Sequence, residues 1–188
     1  MEAVPTDAVW GNCLSHRPAP GFAAAILSEK ALPNSTPITV RRVTPHDRPA
    51  ADAAFALIEE YYEAIGVVVR DDRAALEHYL ADENSSIWIA MICDVPVGCV
   101  MLRPLPQIAE ADEVKRLYVR PAHRGRSVAH ALMQAAEAHA RQQGRQWLYL
   151  DTKDDLTPAI RFYLSTGYQH CARYNDNPQA TIFLRKRL

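Results

Sequence analysis

The stretch Val114-Lys115-Arg116-Leu117-Tyr118-Val119-Arg120-Pro121-Ala122-His123-Arg124-Gly125-Arg126-Ser127-Val128-Ala129 decides how this chain is read. An apolar strand pattern runs into a basic, Pro-containing loop and then straight into helical spacing. That arrangement points the helix's first unpaired N–H groups into a pocket, together with a dipole worth roughly half a positive charge. Such an end suits pyrophosphate. Arg124 and Arg126 add charge, and Gly125 lets the backbone come close. Behind the loop, Val128, Leu132, Ala135, Ala136 and His139 form one inward stripe. A Walker-type phosphate loop would need more glycines and a Lys followed by Ser or Thr, which are absent. An ordinary strand-to-helix crossover with an incidental arginine pair gives the same local pattern, so the loop alone leaves both readings open.

Working outward, Ile38 to Val43 alternates as a half-buried strand, with Thr44 and Asp47 placed to start a helix. Phe55, Ile58, Tyr62 and Ile65 recur at three and four, predicting an amphipathic helix over 52–65. A second short helix is expected over 71–80. Strands are expected over 86–93 and 97–102, joined by Asp94-Val95-Pro96, and over 113–119. The helix over 127–143 is closed by Gly144. There follow a strand over 147–151, a helix over 158–165 ended by Gly167, and strands over 168–174 and 181–186. The predicted order is β-α-α-β-β-β-α-β-α-β-β. Residues 1–36 differ from the rest: Pro5, Pro18, Pro20 and Pro33 interrupt them, which predicts an extension that packs loosely or wraps the domain.

Bulk properties exclude several classes. With 188 residues, 48% of them apolar, the chain supports one sizeable core. A net charge of −1 without a long basic block argues against nucleic-acid binding. Apolar runs such as Phe22 to Leu27 are far shorter than the roughly 20 residues a membrane span requires. The start, Met1-Glu2-Ala3-Val4-Pro5, lacks the basic region of a secretory signal. Cys13, Cys93, Cys99 and Cys171 show no C-x-x-C spacing, so reduced thiols in a cytoplasmic protein are expected, and no metal site.

The deciding stretch resembles the acetyl-CoA-binding motif of the GNAT superfamily of N-acetyltransferases, an aliphatic strand, a Pro-containing turn and then (Q/R)-x-x-G-x-(G/A). Arg124 fills the first position, Ser127 the glycine position and Ala129 the last. A second block matches as well: Trp147 to Thr152, then Ala159-Ile160-Arg161-Phe162-Tyr163-Leu164-Ser165-Thr166-Gly167-Tyr168. The resemblance covers roughly residues 38–188. It implies an α/β GNAT fold over 37–188, with a mixed, mostly antiparallel seven-strand sheet flanked by four helices.

The resemblance also implies site residues. The backbone of Leu117, Tyr118 and Val119 would pair with the pantetheine arm on a strand splayed from its neighbour. Arg124, Gly125, Arg126, Ser127, Val128 and Ala129 would hold the pyrophosphate, and Thr152 and Asp155 would touch the coenzyme. Ser127 departs from the usual glycine; its amide remains, and its hydroxyl is free to meet a phosphate. Tyr163 would sit near the coenzyme sulfur, where a phenol with a pKa near 10 suits protonation of a departing thiolate. Its other reading is core packing on its helix.

The resemblance implies Glu113 as the general base, often acting through water in relatives, with Asp112 in reserve; alternation places Glu113, Lys115, Leu117 and Val119 on one face. The other reading is a solvated acid at a strand start. The implied acceptor pocket takes in Tyr61, Tyr62, Glu63, Tyr79 and the segment Tyr174-Asn175-Asp176-Asn177-Pro178, whose aromatics and acids suit a small cationic amine. The expectation is direct acetyl transfer from acetyl-CoA to a small-molecule primary amine, with a homodimer compatible. A non-catalytic acyl-CoA-binding module and a protein or peptide acetyltransferase remain as rivals.

Overall fold

The computed structural model describes residues 37–66 and 70–188. The expected extension over 1–36 lies outside the described residues. The elements run β1 (Ile38–Arg42), α1 (Arg48–Ile65), α2 (Arg73–Ala81), β2 (Ser86–Ile92), β3 (Val95–Pro104), β4 (Ala111–Val119), α3 (Val128–Gln142), β5 (Trp147–Thr152), α4 (Thr157–Ser165), β6 (Gln169–His170) and β7 (Ile182–Arg187). The predicted order is the observed one. The boundaries that moved did so for local reasons. Helix α1 begins at Arg48 because Asp47 caps it, accepting from the Ala50 amide at 3.1 Å, and Pro49 fits its first turn. The β2–β3 hairpin turns at Cys93 and Asp94, both at positive φ (47° and 58°), so β3 starts at Val95 rather than Val97. Strand β6 keeps only two of the seven residues expected, because Arg173 donates to the carbonyls of Asn177 and Ala180 and folds that segment into a loop.

The seven strands lie in the order β1-β2-β3-β4-β5-β7-β6, antiparallel except for the parallel β4–β5 pair. Helices α3 and α4 cover one face, where Trp88, Val100, Leu102 and Val114 meet Leu132, Ala136 and Tyr163. Helices α1 and α2 cover the other, where Ile87, Ile89, Cys99 and Met101 meet Phe55, Leu57, Ile58 and Leu76. Leu132, Leu148, Leu150 and Leu184 are fully buried, each contributing about 1.5–3 kcal/mol on transfer from water. This two-sided core fixes β4, the central strand, on which the site is built.

Candidate active site

Strands β4 and β5 pair only through Ala111↔Trp147, Asp112↔Leu148 and Glu113↔Tyr149. On its other edge β4 stays bonded to β3 as far as Gly98↔Val119. The half of β4 from Lys115 to Val119 therefore has no strand partner on the β5 side. Just past the last backbone pair, side chains take over: Lys115 Nζ lies 2.8 Å from Asp151 Oδ1 across the opening gap.

A β-bulge shapes this open half. Val100 of β3 faces two residues of β4, Arg116 and Leu117, and Arg116 sits at φ 54°. The extra residue reverses the alternation read from sequence. Val114, Leu117 and Val119 pack on the α3 side, whereas Tyr118 packs on the α1 side. Glu113 and Lys115 thus do not share a face with Leu117 and Val119. The bulge is anchored by Arg116 itself, which donates to the Tyr62 hydroxyl at 2.7 Å and pairs with Asp71.

Beyond β4 the chain makes one 3₁₀ turn at Pro121–His123 and enters α3. Gly125 adopts φ 73° and Ser127, the residue before α3, adopts φ 64°. This backbone explains why glycine suits the Ser127 position: a side chain there costs about 1–2 kcal/mol. The Ser127 side chain makes no capping bond to the helix. Arg124 Nε donates to the Val119 carbonyl at 3.0 Å, tying the loop to the end of β4. His123 Nδ1 is buried without a hydrogen-bond partner among the described residues. A helix N-terminus, a flexible glycine, an uncommitted hydroxyl and an unsatisfied ring nitrogen together fit a phosphate-bearing group.

These parts open onto one cavity of about 970 Å³. Leu117, Tyr118, Val119, Arg124, Gly125, Ser127, Val128, Ala129, Thr152 and Tyr163 all line it. Tyr163 is 8% exposed, and burial raises its phenol above the ordinary tyrosine value, with Tyr61 and Asp151 adding to the effect. It stays protonated across the working pH range. Three residues expected to hold the coenzyme or to catalyse stand off the wall. Arg126 is exposed on the loop's outer side. Asp155 is exposed and pairs with Lys153 at 3.2 Å, pulled outward because the chain has already left β5.

Glu113 is the third. It is 0% exposed and sits behind the wall. Its carboxylate accepts from Arg103 (2.8 Å), the Tyr174 hydroxyl (2.9 Å) and the Asn175 amide (3.0 Å), with Lys115 Nζ at 3.2 Å. Asp112, held in reserve, is also off the wall and paired with Arg145 at 2.9 Å. Burial raises its carboxyl, and Arg145 opposes the rise.

Sequence reasoning missed what these contacts build. Asn175 donates to both Glu113 and Asp151, and Asn177 donates to Asp151 at 3.0 Å. Lys115 bridges the same two acids. Burial pushes the Asp151 carboxyl up, but Lys115, Asn175 and Asn177 outweigh it and hold it below its usual range. Asp151, near the end of β5, is a wall residue of the cavity. A lysine in the middle of an apolar strand and two asparagines around an acid were the available signals. The expected acceptor end holds Tyr61, Tyr62 and Tyr79, but Glu63 and Tyr174 do not line it: Glu63 is exposed on α1, and Tyr174 gives its hydroxyl to Glu113; burial lifts the Tyr61 phenol to about 12. Among the described residues no helix is long and apolar enough to cross a membrane.

The chain is similar to named acetyltransferases in sequence and in fold. A protein of Schizosaccharomyces pombe named as an uncharacterized N-acetyltransferase is 37% identical over 82 residues, which is 44% of this chain and 50% of that protein. The chain spans about half the length of the first curated relatives it matches. Among solved structures, an acetyltransferase of the GNAT family from Staphylococcus aureus Mu50 superposes with a TM-score of 0.67 at 19% identity, over 80% of this chain and 99% of that one. An N-acetylglutamate synthase from Neisseria gonorrhoeae, complexed with coenzyme A and N-acetyl-glutamate, superposes at 0.64 and 19% identity, over 80% of this chain and 35% of that one. The sequence pattern of the Acetyltransferase (GNAT) family matches residues 51–168, the span that holds β4, the phosphate-ready loop, α3 and α4. With its seven-strand sheet split at β4–β5 and that match over more than half its length, the chain belongs to the GNAT acetyltransferase family.

Proposed function

We propose that this protein moves the acetyl group of acetyl-CoA directly to a primary amine of a small molecule within a ternary complex. The observation that carries the reading is the single cavity joining the start of α3, the unpaired half of β4 and Tyr163. The loop from Arg124 to Ser127 and the first turn of α3 would hold the pyrophosphate, with Arg126 adding field from outside. The backbone of Leu117, Tyr118 and Val119, on the edge that β5 leaves open, would hydrogen-bond the pantetheine arm and polarise the acetyl carbonyl, with Thr152 on the facing wall.

Transfer then needs three proton movements. The ammonium must shed a proton to water before the neutral amine attacks the thioester carbonyl. The C–S bond then breaks, the departing thiolate takes a proton from the Tyr163 hydroxyl, and the second proton that the nitrogen loses on becoming an amide returns to the Tyr163 oxygen through cavity water. Glu113, with its oxygens taken by four neighbours, offers no free lone pair to an amine. Its proposed part is to position Asn175 and Tyr174, and the amine's proton leaves to water in the cavity.

The test is a thermal-shift titration with acetyl-CoA on the wild type and on Arg124→Glu. At about 100 times its dissociation constant a ligand adds roughly 2.7 kcal/mol. For a chain of this size, that raises the melting point by about 5–11 °C. The shift should be absent in the variant. No shift in the wild type at millimolar coenzyme would sink the proposal. A shift without thiol release over amines and peptides would leave a binding module.

A further inference from the structure

The charges at the acceptor end of the cavity do not cancel. Arg103 is answered by Glu113, Lys115 by Asp151, and Arg116 by Asp71. Asp176 lines the same cavity and has no ion-pair or hydrogen-bond partner among the described residues. An exposed acid in a loop is ordinarily just solvated. This loop is fastened on both sides of the acid. Asn175 reaches two buried carboxylates, Asn177 reaches one, and Arg173 donates to the carbonyls of Asn177 (3.1 Å) and Ala180 (3.0 Å). A carboxylate mounted this firmly loses little freedom when it meets a ligand.

The reacting amine is the wrong partner for it. An amine attacks a thioester only when neutral, so a fixed negative charge that favours its ammonium form would slow the reaction. The useful partner is a positive charge elsewhere on the same molecule. We propose that Asp176 is the specificity-determining residue of the acceptor end and that the acceptor is a small amine carrying a second, non-reacting cationic group, as an alkyl diamine does. The inference rests on the acetyl-transfer reading above and adds to it the charge of the acceptor. Glu113 and Asp151 then serve specificity from behind, as the posts to which the loop is tied.

The experiment compares thiol release from acetyl-CoA with 1,4-diaminobutane and with butylamine, in the wild type, Asp176→Asn and Asp176→Glu. Asp176 is exposed, so both variants should fold. The wild type should favour the diamine by about tenfold in kcat/KM, the scale of one hydrogen bond between charged groups. The preference should lie in KM. Asp176→Asn should abolish it by raising the diamine KM, and Asp176→Glu should restore part of it. Equal kcat/KM for the two amines in the wild type, or a preference that survives in Asp176→Asn, overturns the inference. Thiol release with neither amine also overturns it. The coenzyme-induced thermal shift on the same preparation then tells whether the acetyl-CoA reading stands without it.

Discussion

Replacing Lys115 by Met keeps the aliphatic stem and removes one buried charge. Lys115 is 13% exposed, and its ammonium lies 2.8 Å from Asp151 and 3.2 Å from Glu113. Glu113 would keep Arg103 at 2.7 Å. Asp151 would keep only the amides of Asn175 and Asn177. Removing one partner of a buried ion pair typically costs about 3–5 kcal/mol, because the other charge is left without compensation. At roughly 2–4 °C per kcal/mol for a chain of this size, the melting point at pH 7 should fall by about 6–20 °C.

The pH dependence makes the prediction sharper. In the wild type the Asp151 carboxyl is lowered, so its contribution is present above the unfolded carboxylate value of about 3.9 and lost only as pH falls through the lower folded value. Between pH 7 and pH 5 that contribution is flat. Without Lys115, burial dominates and the folded value rises. A protonated Asp151 then suits the fold, and stability is lost as pH climbs through the raised value. The gap between variant and wild type should therefore narrow as pH is lowered from 7 to 4.5. Paired thermal melts across that range read it directly. A gap at pH 7 below about 1 kcal/mol, or one that widens on acidification, would refute the account of Lys115 as the cation holding the split strands together.

Two further outcomes follow from the site. Tyr163→Phe should lower turnover by about 10²–10⁴ while leaving the acetyl-CoA dissociation constant unchanged, since only a proton donor is lost; unchanged turnover would remove Tyr163 from the chemistry. Glu113→Gln should raise the acceptor KM and cost about 1–3 kcal/mol of stability, because a neutral amide answers Arg103 and Lys115 poorly. The pH profile of turnover should keep its shape, and loss of its acidic limb would instead assign Glu113 the general-base role.

The elements were legible because their signals are local. The stripe Val128, Leu132, Ala136 and the alternation over Ile38 to Arg42 each report one element's face, whatever lies opposite. The loop at Arg124 to Ser127 was legible for the same reason: a glycine, a cation and a helix start are neighbours in sequence. What stayed hidden depends on partners far along the chain. The bulge at Arg116 exists only in register with β3, and a positive φ on an arginine carries no sequence signature. The surroundings of Glu113 come from residues 10, 61 and 62 positions away, so alternation placed it on the wrong side of the cavity wall.

The bulge and the split have one physical consequence in common. A one-residue insertion sends Leu117 and Val119 into the α3 core, while β4 and β5 part company after Glu113. Along half of a central strand, the amides and carbonyls that face β5 are then left without a strand partner, a cost most sheets avoid. Water would meet part of that cost, and an extended ligand arm with alternating donors and acceptors would meet it better by acting as a partial strand. Coenzyme binding would in this way repair a defect that the fold itself maintains, with Lys115 and Asp151 marking how far the arm can enter. On the acetyl-transfer proposal, the reacting carbonyl would lie near Tyr163, and the hydrogen bonds missing on the β5 side of β4 would become the donors that the chemistry requires.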